Sequence, residues 1–391
     1  KGNLFCPGTP PSEAIKLQSD RYRIVADENI QVTPELLSIS ESLLTLPGRV
    51  ISAEHLVNAD VLLVRSVTPV TEQLLATSKV AFVGTATAGV EHIDTQYLAA
   101  RGIGFASAPG ANANAVTEYV LSVLAARGRI AKVLDGGTVG IVGYGHVGQR
   151  LARVILDLGG QVKVWDPWQS VPHRVNCTSL EVVLAQEVVT LHAALHDQEP
   201  WPSLAMINTS LPLGKPSKQL FINAARGELV TKDAMRTLEK SGADIVLDVW
   251  PNEPSISAGE LARVSLGTAH IAGYSLSAKA VATNMLVTAL TGVATKSEQQ
   301  VSPPIDMTGR GSESAGAWLS RLLLASYDPA NDAEALAKIC VDNVESHDFD
   351  ALRRNYSLRR ELRGRPVLMP LHCDGGLDSL VAAVGGVPVH P

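Results

Sequence analysis

Cysteine is scarce and scattered: the four in 391 residues, Cys6, Cys177, Cys340 and Cys373, include no Cys-x-x-Cys pair. That spacing argues against a disulfide framework and a zinc site, and it suits a reducing compartment. A cytoplasmic protein without a metal is the expectation. Long apolar runs are also missing. No stretch approaches the ~20 residues that cross a bilayer as a helix, so no membrane partner is expected. Nor is positive charge in excess: 33 Lys and Arg against 39 Asp and Glu leave −6, with an isoelectric point near 5.9. That balance carries no electrostatic footprint for a nucleic acid or an anionic membrane surface. An anionic small molecule would need a local cluster of Arg, Lys and backbone N–H groups. No internal repeat is visible.

What is present is an alternation of short β-branched runs with helical stretches, over a length that suits two or three domains at about 150 residues each. A hydrophobic fraction of 46% is enough for sizeable cores. Residues 1–20 are polar and Pro- and Gly-containing, and read as a disordered leader outside the fold. From Arg21, strand candidates run over Tyr22–Ala26, Val61–Val64 and Val80–Gly84, and a helix rich in Ala, Val and Leu over Asn114–Ala126. A second series follows: Thr138–Val142, Gln161–Trp165, Val188–Leu191, Leu220–Asn223, Asp244–Leu247 and Ser265–Thr268. Runs of this kind are the signature of parallel strands with crossover helices. Several end on polar residues (Asp166, His192, Arg226, Asp248, His270), where ligands sit in open α/β sheets. A helix over Ser277–Val293 leads back toward the first series, a polar linker spans Lys296–Gly311, and a small domain of mixed character follows.

The expected architecture is therefore α/β, with two Rossmann-like, doubly wound parallel-sheet domains and a small C-terminal α+β domain. The first comprises residues 21–113 with 278–300, the second residues 114–277, and the third residues 306–391.

Gly143-Tyr-Gly145-His146-Val147-Gly148 is a Gly-x-Gly-x-x-Gly turn between an apolar strand and a helix. Alone the pattern is weak; that context makes it a dinucleotide turn. Gly143 permits the tight bend, Gly145 lets backbone approach a pyrophosphate, and Gly148 lets helix pack on strand. Asp166, about 20 residues on at the next strand end, suits the adenosine ribose hydroxyls. It is followed by Pro167-Trp168 rather than by arginine, which favours NAD over NADP.

Hydride exchange with a 2-oxo acid needs a cation for the carboxylate, a proton donor for the carbonyl oxygen and a group that tunes the donor. Arg226 has the planar fork for a carboxylate. His270 is placed as acid/base, and Glu253 as the carboxylate that favours its protonated form.

Those residues lie in Asn223-Ala224-Ala225-Arg226-Gly227, Asp248-Val-Trp-Pro-Asn-Glu253-Pro254 and His270-Ile-Ala-Gly273-Tyr274, and this trio closely resembles the D-isomer-specific 2-hydroxyacid dehydrogenases. Val64-Arg-Ser-Val-Thr68 and Gly84-Thr-Ala-Thr-Ala-Gly89 strengthen the likeness. The resemblance implies Arg226, Glu253 and His270 as catalytic residues, with a small phosphorylated 2-hydroxy acid as substrate. It implies Ser66, Thr87 and Tyr274 as substrate contacts, and Asp166, Ala224, Ala225, Arg226, Asp248 and Gly273 beside His146, Val147 and the three glycines at NAD. Asp248 would accept from the nicotinamide carboxamide. The tail from Phe349 to Glu361, with Cys373-Asp374, resembles the dimerisation domain of one branch, so a homodimer through the C-terminal domain is implied. The chain departs from the family at His192-Ala193-Ala194-Leu195, where His-Thr-Pro-Leu is usual, and is irregular over 196–219. A phosphoglycerate- or hydroxypyruvate-type enzyme, or a non-catalytic NAD-sensing protein of the corepressor kind, stands as the alternative.

Other polar residues invite plainer readings. His192 reads as structural, His146 as exposed, and His92 and Asp94 as loop organiser and helix cap. Glu118 is either a solvated helix residue or a support to the site. Arg65 and Lys279 are candidates for a substrate phosphate, against ordinary surface charge. The basic run Arg353–Arg360 reads as a solvated helix face.

Overall fold

The computed structural model describes residues 21–214, 218–295, 302–309, 313–340, 342–356, 359–371 and 375–391. The leader at 1–20, Cys6, the motif residues Ser357 and Leu358, and Cys373-Asp374 lie outside the described residues. Two compact units emerge, Lys1–Asn112 with Leu276–Gln300, and Ala113–Ser275 with Val301–Pro391.

The first unit is built on a five-stranded parallel sheet of β1 (Tyr22–Asp27), β2 (Ser40–Leu46), β3 (Val61–Val64), β4 (Phe82–Thr85) and β5 (Gly104–Ser107), in the order β2-β1-β3-β4-β5. Successive strand residues face opposite ways, so each strand feeds two cores. Val25, Leu62, Val64 and Val83 pack on one side. Ile24, Leu63 and Phe82 pack on the other, beneath Leu286, Val287 and Leu290 of the helix Leu276–Thr291. Strands β2 and β5 were not foreseen. Ser40–Leu46 lies at a sheet edge with most side chains half-buried or exposed, and so shows no apolar run; Gly-Phe-Ala-Ser of β5 is short and small.

The second unit carries a seven-stranded parallel sheet. Its strands are β6 (Thr138–Val142), β7 (Gln161–Trp165), β8 (Asn176–Cys177), β9 (Val188–Leu191), β10 (Leu220–Asn223), β11 (Asp244–Leu247) and β13 (Leu266–Gly267), with a short β12 (Ile256–Ser257) outside the sheet. The order β13-β11-β10-β9-β6-β7-β8 reverses between β6 and β9, the crevice where doubly wound sheets take ligands. Register is fixed by apolar pairs such as Val139 beside Val188 and Val142 beside Leu191. Strands β9 and β10 are buried throughout, as strands covered on both faces must be. Between them, the described residues from 192 to 214 hold no helix. The segment is pinned instead by the bridge Ile207–Val230 and by Ser203, whose Oγ donates to Ala194 O at 2.7 Å.

Residues 306–391, expected as a separate domain, share the core of this second unit. Trp318, Leu319, Leu322 and Leu323 of the helix Ala315–Ser326 join one cluster with Val120, Val123 and Leu124 of the helix Ala113–Ala126. Removing a Trp buried like Trp318 costs about 3–5 kcal/mol. A Cβ on Gly316 would stand 2.8 Å from that of Ala131, so glycine sets the closeness of the packing. The segment adds β14 (Ile305–Asp306), β15 (Asn343–Val344), β16 (Pro366–Leu368) and β17 (Val387–Val389). β14, β16 and β17 form a parallel sheet, while β15 pairs antiparallel with β12, Val344 opposite Ile256. Among the described residues no helix is long and apolar enough to cross a membrane.

Candidate active site

The Gly-rich turn is shaped by close approach of backbone. Gly143 has φ +96, and a Cβ there would stand 2.5 Å from Ala193 N; one on Gly148 would stand 2.1 Å from Gly143 O. Gly145 differs: its Cβ would meet no atom within 4 Å, so space is open above it. It is the N-cap of the helix His146–Asp157 and offers no side-chain cap, so the first N–H groups of that helix keep their capacity for an anion. His146 is exposed and Val147 half-buried beside this open side.

Asp166 is wired into the same turn. Its carboxylate accepts from Tyr144 N at 2.6 Å, Trp168 N at 2.8 Å and Gln169 N at 3.0 Å. An ionised carboxylate has about four acceptor sites, which leaves one for a ribose hydroxyl. His192, whose backbone lies against Gly143, has Nε2 2.9 Å from Thr190 Oγ1; burial pushes its imidazole down to about 3. It is neutral across the working range, in keeping with a structural part.

At the same edge of the sheet, with only β9 between it and β6, β10 opens into the Arg226 turn. Asn223 staples it, accepting from Ala225 N at 3.1 Å and donating to Arg226 O at 2.9 Å. Arg226 is half-buried, with Nη1 donating to Ala225 O at 2.8 Å. A Cβ on Gly227 would stand 2.2 Å from Trp250 C, so glycine lets the Arg226 turn lie directly on the Trp250–Glu253 loop. Glu253 accepts from Trp250 N at 2.7 Å through Oε1, and its Oε2 lies 2.7 Å from Nδ1 of His270. Burial works to raise the Glu253 carboxyl, but His270, the Trp250 N–H and Arg353 outweigh it and hold the group below its ordinary value. An ionised Glu253 keeps a proton on Nδ1 of His270 and leaves Nε2 for substrate chemistry.

His270 itself has φ +54, an uncommon conformation for a side chain of its kind. Asp248 enforces it. This aspartate is 1% exposed and accepts from Thr268 Oγ1 at 2.7 Å, Ile271 N at 2.8 Å and Ala272 N at 2.9 Å, while its own carbonyl takes His270 N at 2.7 Å. Asp248 thus anchors the loop that presents the imidazole. The sequence had offered it only as a cofactor acceptor.

The structure therefore brings together Arg226, Asp248, Glu253, His270, Gly273 and Tyr274, with Ala224 and Ala225 in the same turn as Arg226. Ser66 and Thr87 belong to the first unit, beyond the ends of β3 and β4. Ser66 is exposed; Thr87 is half-buried, with Oγ1 2.8 Å from Thr85 Oγ1 and donating to Gly89 O at 2.7 Å. His92 contacts Thr85 at 2.9 Å, and Asp94 caps its helix by accepting from Tyr97 N at 2.9 Å.

The basic run at 353–360 meets its sequence reading only in part: Arg354 is exposed, but two other arginines are not. Arg353 is 9% exposed and Arg359 7%; neither is on a solvated face. Arg353 lies over the Tyr274 ring at 5.4 Å, and Arg359 over the Tyr327 ring at 4.0 Å while donating to Ala272 O and Ala115 O at 3.0 and 2.6 Å. A signal was available: Arg353 follows the fully buried Phe349 by four residues in the helix Ser346–Arg354, which puts both on one face. Glu118 is likewise buried, accepting from Leu362 N at 2.7 Å and Arg363 N at 3.2 Å.

Several known proteins resemble this chain. Residues 44–347 match the model of the D-isomer specific 2-hydroxyacid dehydrogenase catalytic domain. Erythronate-4-phosphate dehydrogenase of Hahella chejuensis is 38% identical over 93% of this chain and 98% of its own. The enzyme of that name from Pseudomonas aeruginosa is 40% identical over 88% and 94%. Among solved structures, NAD⁺-bound 3-phosphoglycerate dehydrogenase of Entamoeba histolytica superposes with a TM-score of 0.56 at 20% identity, over 70% of this chain and 94% of its own. D-lactate dehydrogenase of Aquifex aeolicus gives 0.53 at 22%, over 68% and 93%. The chain belongs to the D-isomer specific 2-hydroxyacid dehydrogenase family.

Proposed function

We propose that the protein oxidises 4-phospho-D-erythronate with NAD⁺, giving 2-oxo-3-hydroxy-4-phosphobutanoate, NADH and a proton, as a step in pyridoxal 5′-phosphate biosynthesis in the cytoplasm. The observation that carries the reaction class is the Glu253–His270 pair at 2.7 Å, presented beside the Arg226 turn. The relatives named for erythronate 4-phosphate, matched over nearly their whole length, carry the substrate.

The residues fit NAD. Open space above Gly145 admits a pyrophosphate, the uncapped helix start at His146 supplies N–H donors, and Asp166 retains an acceptor site for a ribose hydroxyl. Gly143, Val147 and Gly148 would shape the rest of that cradle, and Ala224, Ala225, Asp248 and Gly273 the nicotinamide end. Bound there, NAD⁺ would supply the acceptor for the hydride that leaves C2 of the hydroxy acid. Arg226 holds the substrate carboxylate by charge-assisted hydrogen bonds. Nε2 of His270 accepts the hydroxyl proton, and Glu253 stabilises the imidazolium that results.

For the phosphate, the first unit supplies the cations. Its strand order reverses between β1 and β3, whose ends carry Asp27 on one side and Arg65 and Ser66 on the other. Lys279, in the first turn of the helix Leu276–Thr291, lies within the field of both Arg65 and Asp27; burial lowers its ammonium, Arg65 lowers it further and Asp27 opposes. Arg65 and Lys279 are the cations that would attract the phosphate, with Ser66, Thr87 and Tyr274 contacting the acid. The homodimer reading rests on the C-terminal segment, where Leu371 is 78% exposed and Val387 and Val389 lie exposed on β17 at the end of the small sheet. Light scattering that gave the mass of one chain would refute it.

NADH formation measured on a panel of phosphorylated 2-hydroxy acids tests the whole reading. The four-carbon acid is expected to give the highest kcat/KM. Preference for three-carbon phosphoglycerate would reassign the substrate, and no NADH from any acid would leave a sensor rather than an enzyme.

A further inference from the structure

The family match ends at residue 347, yet the next stretch of chain reaches back to the loop that carries His270. Arg353 and Tyr356 pack on the Tyr274 ring, at 5.4 and 6.0 Å. Arg359 donates to Ala272 O at 3.0 Å, and Glu361 accepts from Ser275 Oγ at 2.5 Å. The catalytic loop is thus gripped by a segment outside the family-wide domain.

Arg353 is the member of this grip whose chemistry exceeds packing. It is 9% exposed, sandwiched against the Phe349 and Tyr274 rings, and its Nε meets no hydrogen-bond partner among the described residues. A guanidinium desolvated to that degree is costly unless its charge acts on something. The negative groups in its field are Glu253, Asp350 and Asp248.

We propose that Arg353 is a positioning residue for the reaction: from the helix Ser346–Arg354 its buried cation holds the Tyr274 ring and supplies positive charge to the Glu253–His270 pair. The inference rests on that pair being the proton relay. The charged and titratable groups around the pair are Asp248, which holds the His270 loop through Ile271 N, Tyr274 in that loop, and Arg353, which lies over the Tyr274 ring with Asp350 on the same helix. Asp248 and Asp350 add negative charge, so Arg353 is the cation that counters them beside Glu253. Removing it takes away one of the charges that hold the Glu253 carboxyl below its ordinary value, and so weakens the carboxylate that supports His270.

The test is the pH dependence of kcat/KM for hydroxy-acid oxidation by the full chain, with wild type, Arg353→Met and Arg353→Lys compared. Methionine keeps length and apolar packing without a buried polar orphan. Its acid limb should move up by about one pH unit, which is roughly a tenfold loss of kcat/KM at a fixed pH below the limb. NADH affinity and melting temperature should stay near wild type, and lysine, which retains the charge, should keep the limb in place. A limb that does not move in a stably folded methionine enzyme, or moves equally with lysine, overturns the proposal. If the methionine chain does not fold, Arg353→Gln is read against the same outcomes; failure of both neutral chains to fold makes the residue structural and also overturns it. A wild-type protein that forms no NADH from any 2-hydroxy acid would defeat the parent reading first, before any variant is compared.

Discussion

The glycine turn at residues 143–148 and the loop at 270–275 both cap strands of the seven-stranded sheet, and both hang on an aspartate, yet they are shaped by opposite means. The turn is defined by side chains that must be missing: a methyl on Gly143 or Gly148 would collide with backbone at 2.5 or 2.1 Å. Asp166 then closes it from 22 positions away, through Tyr144 N. The loop is defined by side chains that must be present. Asp248 holds its backbone, Glu253 its imidazole, and Arg359 and Glu361 tie it from 87 and 86 positions away in sequence. Close approach of backbone produces a rigid cradle that a cofactor enters. Tethering by charged side chains produces a proton relay whose electrostatics depend on distant parts of the chain.

If that division holds, affinity and chemistry separate by mutation. The largest effect is expected for His270→Ala: kcat should fall about a thousandfold, within the range for loss of a general acid–base, while NADH still binds in a fluorescence titration. Loss of NADH binding along with turnover would break the comparison. Gly145→Ala is the mirror experiment. Its new methyl meets no protein atom within 4 Å, so the melting temperature should hold while the NADH dissociation constant rises about tenfold, roughly 1.4 kcal/mol. Gly148→Ala, placed against Gly143 O at 2.1 Å, should instead destabilise the fold, by about 1–3 kcal/mol as overpacking does. Equal melting temperatures for the two alanine variants would show that backbone contact does not set the turn.

The same contrast explains what the sequence made legible. Strands β3, β6, β9, β10 and β11 were readable to the residue, because strands covered on both faces are runs of apolar side chains between turn residues, and β7 was readable from its alternation of Val162 and Val164 with polar neighbours. The glycine turn was readable because its physics is local. Arg226, Glu253 and His270 were readable as residue types at strand ends, and the structure puts them on touching loops. The edge strand Ser40–Leu46 was not, since one solvent-facing side breaks the pattern. Nor was the burial of Arg353 and Arg359: a charged run signals solvent until the Tyr274 and Tyr327 rings and the Ala272 carbonyl that receive it are known. The anchoring role of Asp248 was hidden for a related reason. Its partners Ile271 N and Ala272 N are backbone groups, and any sequence supplies those.

The smallest expected effect concerns the brace behind the loop. Burial, aided by Glu361, lifts the Glu118 carboxyl from its ordinary 4.5 to about 8, while its Oε1 accepts from Leu362 N and Arg363 N next to the Glu361 that holds Ser275. Between those two values the folded chain keeps a proton that the unfolded chain has released. Stability therefore falls as pH rises through that window, and the loss is complete above about 8. Glu118→Gln removes the titration and keeps an oxygen for the same two N–H donors. The variant should show a flatter dependence of melting temperature on pH and, at alkaline pH, a gain of about 1 kcal/mol, roughly 2–4 °C for a domain of this size. Melting curves that run parallel for the two proteins from acid to alkaline pH would mean that Glu118 is ionised in the fold, and that the tether behind the catalytic loop is as insensitive to pH as the glycine turn.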